Sequence, residues 1–249
     1  METIAGKHAR EIDASELAGR LAGYRHVLID LGTGDGRFVR AIAASCPTTF
    51  AIGIDACREN LRERSRTAPR NTLYIIASAL ALPQELDGLA THLTINFPWG
   101  SLLAGLLAGD PALIERLAAL ARPGARLEVR LNAGALADAG WPLEDAGQRV
   151  RRVLQAEGFS VQRPMILGPR ELRACPTTWA QRLAFGRDPR ALSLQGHRTN
   201  APSYTSLPNG SYRATVLAAR ANNDILHTAG ARAGEGEGVG HGVFAGGDA

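Results

Sequence analysis

The sequence predicts an α/β protein built on a doubly wound, mostly parallel sheet of seven strands. Three observations predict it. Five short β-rich runs recur along the first half, helical patterns fill the gaps between them, and a glycine-rich turn joins the first run to the first of those helices. The runs are HVLIDL (His26 to Leu31), TFAIGID (Thr49 to Asp55), TLYIIAS (Thr72 to Ser78), THLTINF (Thr91 to Phe97) and RLEVRL (Arg126 to Leu131). Between them, Arg37 to Ala44, Cys57 to Arg66 and Pro111 to Ala121 carry helix-like apolar spacing, with Asp110 as N-cap and Pro111 at the first helical position. Arg122 to Ala125 (RPGA) reads as a turn. After an Ala/Gly-rich stretch to Trp141, a helix is expected from Glu144 to Glu157, closed by Gly158. A sixth strand around Ser160 to Ile166 and a seventh around Ala191 to Gln195 complete the sheet.

With 249 residues and 45% hydrophobic content, the chain can bury one full-sized α/β core, and a second independent domain would be cramped. The domain is placed at 1–198 and a C-terminal extension at 199–249. Gly230 to Ala249 holds eight glycines and few large apolar residues, so the extension is expected to be largely disordered. Cys46, Cys57 and Cys175 are odd in number and lack paired metal-ligand spacing, which argues against a disulfide framework and against a metal. No signal-like apolar segment opens the chain, and no apolar run reaches membrane-spanning length. A soluble, cytoplasmic monomer with no membrane partner is the expectation.

Charge is uneven. The 28 basic residues are one lysine, Lys7, and arginines. Between Arg151 and Arg198, nine arginines face three acids (Glu157, Glu171 and Asp188), a local excess of six positive charges. Such an excess suits a polyanion, and a solvated arginine-rich face is the plain alternative.

The glycine turn carries the first chemistry. The first strand ends in Asp30-Leu31-Gly32-Thr33-Gly34-Asp35-Gly36, where glycines let backbone approach a ligand at a helix N-terminus. A turn serving only chain reversal would need no partner. Here Asp55 answers it from the end of the second strand, 19 residues after Gly36, where a carboxylate can accept both hydroxyls of a ribose. A dinucleotide turn favours G-x-G-x-x-G. This one reads G-x-G-x-G with an acid two residues ahead, a poor neighbour for a pyrophosphate and a good one for an ammonium group. The arrangement resembles that of class I S-adenosylmethionine-dependent methyltransferases. The resemblance implies a Rossmann-like fold with S-adenosylmethionine as cofactor, Asp30, Gly32 and Gly34 lining the methionine moiety, and Asp55 the ribose. Ala79, after the third strand, would contact adenine, and Leu80 beside it offers only apolar packing.

The fourth strand runs into Asn96-Phe97-Pro98-Trp99-Gly100-Ser101, at the carboxyl edge where ligands bind in such sheets. Trp99, set between Pro and Gly, can stack on a base from a loop or cap the core. A second tryptophan shifts the balance. In Thr177-Thr178-Trp179-Ala180-Gln181-Arg182-Leu183-Ala184-Phe185-Gly186-Arg187, Trp179 and Arg182 lie at a helical offset of three, so aromatic and cation share a face inside the basic stretch. Two tryptophans with arginines suggest a flipped base within a phosphate-gripping surface.

Taken in order, IDLGTGDGR, FPWGSLL and TTWAQRLAFGR resemble the 16S rRNA adenine-N1 methyltransferases that give aminoglycoside resistance, over roughly Gly6 to His197. That resemblance implies methyl transfer to N1 of adenosine 1408 in the 30S subunit, with the base flipped between Trp99 and Trp179 as the catalytic-site pair. It implies further that Arg182 and Arg187 contact rRNA or fix the local loop, that Arg190 stands for a nearby basic position, and that Ser101 lies near the cofactor or helps position the Trp99 loop. GKHAREIDASEL resembles the family's N-terminal hairpin, placing Lys7 and Arg10 near rRNA. The sequence departs from the pattern at Leu80, where an acid is expected, in a short segment between Leu131 and Gln162, and in the extension.

The chemistry needs no general base, because N1 of neutral adenine carries a lone pair and no hydrogen. A tRNA guanine-N7 methyltransferase is the rival enzyme, since a strand ending in NFP occurs there too, but its acidic substrate contacts are missing. A small-molecule methyltransferase has no need of the arginine-rich segment. A catalytically inactive ribosome-binding relative is the rival of another class, and Leu80 and the extension keep it open.

Overall fold

The computed structural model describes residues 1–186 and 188–199. Arg187 and, apart from Thr199, the expected extension lie outside the described residues. Ten strands form among the described residues: β1 (Glu2–Ala5), β2 (His8–Glu11), β3 (His26–Leu31), β4 (Thr49–Asp55), β5 (Thr72–Ile76), β6 (Ala90–Asn96), β7 (Ala121–Asn132), β8 (Phe159–Val161), β9 (Met165–Ile166) and β10 (Ala191–Arg198). The helices are α1 (Ala14–Leu21), α2 (Arg37–Ser45), α3 (Arg58–Arg66), α4 (Gly100–Ala108), α5 (Pro111–Leu120), α6 (Ala133–Asp138), α7 (Leu143–Ala156), α8 (Pro169–Ala174) and α9 (Thr178–Ala184).

The sheet order is β2-β1-β5-β4-β3-β6-β7-β10-β8, with β9 pairing β10. Strands β3 to β7 run parallel to one another, and β10 returns antiparallel between β7 and β8. The expected α/β class is therefore present, but the expectation of seven strands is corrected to ten. The N-terminal hairpin is present as β1 and β2 and adds to the sheet edge through Thr3 opposite Ile75 of β5. The single strand expected over Ser160 to Ile166 is split into β8 and β9. Pro164, between them, has no N–H to donate to a ladder.

Pattern and packing explain the faces. Along β3, Val27, Ile29 and Leu31 join the larger core with residues of α1, α4, α5 and α7. Leu28, on the opposite face, packs with Ala51, Tyr74 and the α2 and α3 residues Val39 and Leu61. Each such buried aliphatic contributes roughly 1.5–3 kcal/mol. The alternation of period two puts Asp30 on the Leu28 face. Further across that face the pattern turns polar: Thr94 stands opposite Glu128 and Asn96 opposite Arg130, and Arg130 stands opposite Ser193. Helices α8 and α9 cover the carboxyl end of this polar stretch with a small cluster of Phe97, Leu172, Cys175, Ala180 and Ala191.

Two local expectations change. The segment Arg122 to Ala125 bulges within β7 rather than ending a helix in a free turn, as the register passes from Ala90 opposite Ala121 to His92 opposite Arg126. The sequence reading also left α4 out. Its Leu102, Leu103, Leu106 and Leu107 are all buried, so no polar face marks a helical period. No helix among the described residues is long and apolar enough to cross a membrane.

Gly36 caps α2 with φ of +71°. A Cβ there would collide with the Tyr74 ring, whose hydroxyl donates to the Gly36 carbonyl at 3.1 Å. Left-handed strain of about 1 kcal/mol and overpacking of about 1–3 kcal/mol add. Gly36→Ala is expected to lower stability by about 2–4 kcal/mol in urea denaturation, and an unchanged midpoint would mean Tyr74 yields freely.

Candidate active site

A cavity of about 500 Å³ opens at the carboxyl edge of the sheet, within the size range of small-molecule sites. Asp30, Gly32, Gly34, Asp55, Ala79 and Ser101 all line it, together with Trp99, Trp179 and Arg182. Elements far apart in sequence thus deliver every expected cofactor residue and both tryptophans to one space.

Asp30 is 1% exposed at the end of β3. Its Oδ1 accepts from the Thr94 hydroxyl at 2.7 Å and from the Asn96 amide at 2.8 Å. Thr33 Oγ1, buried and without a hydrogen bond of good geometry among the described residues, lies close enough to favour the charged carboxylate as well. Arg130 donates to Asn96 Oδ1 and pairs with Glu128 at 2.6 Å. Burial outweighs these helpers and pushes the Asp30 carboxyl up from 3.8 to about 6. The residue is therefore mostly charged at neutral pH, in a pocket with too little water to solvate it. An ammonium group entering the cavity would supply what is missing.

Asp55 is tied to the glycine turn. Its Oδ2 accepts from Gly34 N at 2.8 Å, and its Oδ1 accepts from Cys57 N at 2.9 Å and Asn60 Nδ2 at 3.5 Å. Gly34 has φ of +58°, and a Cβ on it would meet nothing within 4 Å, so its open side faces free space. A Cβ on Gly32 would lie 2.7 Å from Leu102 Cδ2, fixing how closely α4 approaches the turn. Ala79 faces the cavity, whereas Leu80 packs on the main core.

The tryptophans arrive by different devices. Phe97, buried with φ of +53°, turns the chain out of β6 and donates its N–H to the Arg130 carbonyl at 2.8 Å. That left-handed conformation costs on the order of 1–2 kcal/mol and is held by the cluster under α8 and α9. Trp99 follows at the N-cap of α4. On the other side, Thr177 caps α9 by accepting from Ala180 N at 2.9 Å, and the Thr178 hydroxyl donates to Asp35 Oδ2 at 2.8 Å. This bond fastens the helix carrying Trp179 to the glycine turn. The two indoles meet with centroids 5.1 Å apart and planes inclined by 30°; they are 39% and 38% exposed. Arg182 lies 5.2 Å over the Trp179 ring.

Of the remaining expected contacts, Lys7, Arg10 and Arg190 fall outside the cavity. Lys7 sits exposed in the β1–β2 turn, its carbonyl accepting from Arg58 at 3.5 Å. Arg10 forms a bidentate pair with Glu16, and with help from Arg20 this holds the Glu16 carboxyl down at about 2. Arg190 pairs with Asp188 at 2.8 Å and likewise keeps that carboxyl at about 2. Arg187 lies outside the described residues. The sequence reading missed Thr94, Arg130 and Glu128 beneath the site, and the Asp35–Thr178 bond beside it. The alternation in THLTIN and RLEVRL marked one polar face, and that was the available signal for the first three.

The family model NpmA, described as 16S rRNA (adenine(1408)-N(1))-methyltransferase, matches residues 2–198. The chain belongs to this family. A 16S rRNA (adenine(1408)-N(1))-methyltransferase of Escherichia coli is 31% identical over 215 residues, covering 79% of this chain and 98% of the relative. Among solved structures, the antibiotic-resistance methyltransferase Kmr is 35% identical with a TM-score of 0.67, covering 81% of this chain and all of that one. The 16S rRNA methyltransferase KamB is 29% identical with a TM-score of 0.73, covering 80% and 100%. The rival tRNA guanine-N7 reading is not favoured by this membership.

Two outcomes test the site. The raised carboxyl of Asp30 makes a pH-dependent contribution: stability is fully present below about pH 4 and falls as pH rises through about 6, a loss of about 3 kcal/mol. Asp30→Asn is therefore expected to stabilise the ligand-free fold by up to about 3 kcal/mol above pH 7 and to change little below pH 4, read by urea denaturation at both. Equal stability of the two chains at both pH values would remove the strained carboxylate. Thr178→Val removes a hydrogen bond to a charged group, worth about 1.5–3 kcal/mol. Methyl transfer is expected to drop about tenfold or more, Thr178→Ser to restore it, and cofactor affinity to stay within about twofold. Full activity in the valine variant would show that the latch does not position Trp179.

Proposed function

We propose that Trp99 and Trp179 take up the target adenine of 16S rRNA at the mouth of a cavity in which Asp30, Gly32, Gly34, Asp55, Ala79 and Ser101 hold S-adenosylmethionine. The enzyme is an S-adenosylmethionine-dependent rRNA adenine-N1 methyltransferase whose relatives include aminoglycoside-resistance methyltransferases. The observation that carries the site assignment is the indole pair at 5.1 Å above the cofactor turn. An aromatic ring seated between two others needs about 3.5 Å on each side, so the pair must part by about 2 Å to admit the base.

The donor set suits the cofactor. The buried Asp30 carboxylate suits the ammonium of the methionine moiety, Asp55 the ribose hydroxyls, the open side of Gly34 a close ligand approach, and Ala77 and Ala79 an adenine face. Bound there, the cofactor supplies an electrophilic methyl group. The protein supplies alignment and a surrounding that favours positive charge on the base, and no residue has to remove a proton. Two indole faces stabilise the cationic product by cation–π attraction. Arg182, stacked on Trp179, stands ready to reach a phosphate of the displaced nucleotide. Lys7, Arg10, Arg187 and Arg190 are taken as rRNA contacts, of which Arg10 and Arg190 must first exchange Glu16 and Asp188 for phosphate. The reading takes the assembled 30S subunit as partner, a single copy of the chain as the working unit, the cytoplasm as its setting, and no metal.

The test is methyl transfer from labelled cofactor to 30S subunits, naked 16S rRNA and bulk tRNA, with positions mapped by reverse-transcription stops. A stop at adenosine 1408 on 30S alone is expected. Trp99→Ala and Trp179→Ala should each cut transfer by roughly 10–100-fold, the loss of about 1–3 kcal/mol of stacking per face, with Phe milder at both positions. Label on tRNA, or undiminished transfer in the alanine variants, would overturn the assignment.

A further inference from the structure

A second cavity, of about 630 Å³, lies at the opposite edge of the sheet. It is framed by the amino ends of β3, β4 and β6 and by the bulge in β7. Its rim carries Arg25, His26, His92, Arg122 and Arg126, and among the described residues no carboxylate lines it. Half-buried Ile42 contributes apolar surface, over a floor closed by the core residue Leu28.

The positive charge is that of the three arginines, since burial holds the His92 imidazole below its ordinary range. Among the described residues none of Arg25, Arg122 and Arg126 forms an ion pair, whereas Arg10, Arg20, Arg116 and Arg190 each hold a carboxylate. Glu128, two positions from Arg126 on the same face of β7, is occupied by Arg130. Among the described residues Arg122 engages only its Nε, donating to the Gly88 carbonyl at 2.8 Å, which leaves its terminal nitrogens to act as a fork. The bulge that brings Arg122 and Arg126 here interrupts the β6–β7 ladder, a device that re-aims side chains at the cost of pairing. Gathering like charges around a concavity is unfavourable unless an anion joins them.

We propose that this cavity binds a small phosphorylated molecule, its phosphates held by Arg25, Arg122 and Arg126 and its apolar part laid against Ile42 over the Leu28 floor. Guanidinium forks match phosphate oxygens in pairs, and the volume suits a ligand of nucleotide size. The six residues of β3 separate this edge from the cofactor turn by about 20 Å. Trp99 and Trp179 lie at the other edge of the sheet, and a concavity of this volume suits a free ligand better than an extended backbone.

The experiment is calorimetric titration of the full chain with uridine diphosphate, in the presence of saturating S-adenosylhomocysteine. The probe carries two phosphates and no adenine, so it does not compete for the cofactor cavity. Saturable one-site binding is expected, weakened tenfold or more in the exposed double variant Arg25→Ala/Arg126→Ala, with S-adenosylhomocysteine affinity and methyl transfer unchanged. Absence of saturable binding, or equal binding by the double variant, overturns the proposal. So does a double variant that raises KM for 30S subunits while the parent chain ignores uridine diphosphate, since the cavity would then serve the rRNA backbone.

Discussion

A carboxylate buried at the end of the central strand sets the terms for the rest of the site. Asp30 is withdrawn from water by the same packing that makes β3 the middle of the sheet, and an unpaired buried charge is costly. The neighbouring strand answers with Thr94 and Asn96, and the next with Arg130, each one step further along the register. Because side chains alternate strictly along strands, these groups could not meet Asp30 had any strand slipped by one residue. The polar file across β3, β6 and β7 therefore fixes register and at the same time preorganises a negative charge that is only partly satisfied. A site built this way discriminates for a cation without any motion on binding.

The glycine turn above Asp30 joins two tasks. Gly34 gives its N–H to Asp55, which faces the cofactor cavity, and Asp35, the next residue, takes the Thr178 hydroxyl of the target-side helix. A single short segment therefore touches both the place where the cofactor is expected and the helix that bears Trp179. The helix itself is seven residues long, too short to hold its own shape, so its position is decided by the Thr177 cap, the Asp35 latch and the small apolar cluster beneath it.

The parts of this arrangement legible in the sequence were those governed by local rules. The strand–turn–helix at Asp30 to Gly36, the acid at Asp55 and the loop setting of Trp99 follow from chain conformation, and all reach one cavity. Where tertiary context decides, the sequence was silent. The Asp35–Thr178 bond spans 143 residues and carries no local pattern. Helix α4 has no polar stripe to reveal it, and the break that divides the expected strand into β8 and β9 depends on how each pairs with β10. Asp35 shows the limit most plainly: it stands at a variable position of the glycine motif, and its partner became visible only once α9 was placed.

The indole pair closes the account of how the target would be chosen. Stacked on one another, Trp99 and Trp179 gain about 0.5–1.5 kcal/mol beyond the area they bury, and that contact is forfeited when a base enters. Two base–indole contacts at about 1–3 kcal/mol each exceed it, but extracting the base from its helix costs a few kcal/mol more. The local exchange comes out near balance, so stacking alone would not hold an adenine from an arbitrary RNA. Selection must rest on surface contacts made before the base turns out, by cations such as Lys7 and Arg182 and by arginines now engaged with their own acids. On the proposed reading, Arg10 and Arg190 would release Glu16 and Asp188 only to a denser array of negative charge than one carboxylate. Such an array exists on a folded ribosomal surface and not on a free nucleotide, so the proposed reading puts discrimination in the approach and would leave the tryptophans to align what has already been chosen.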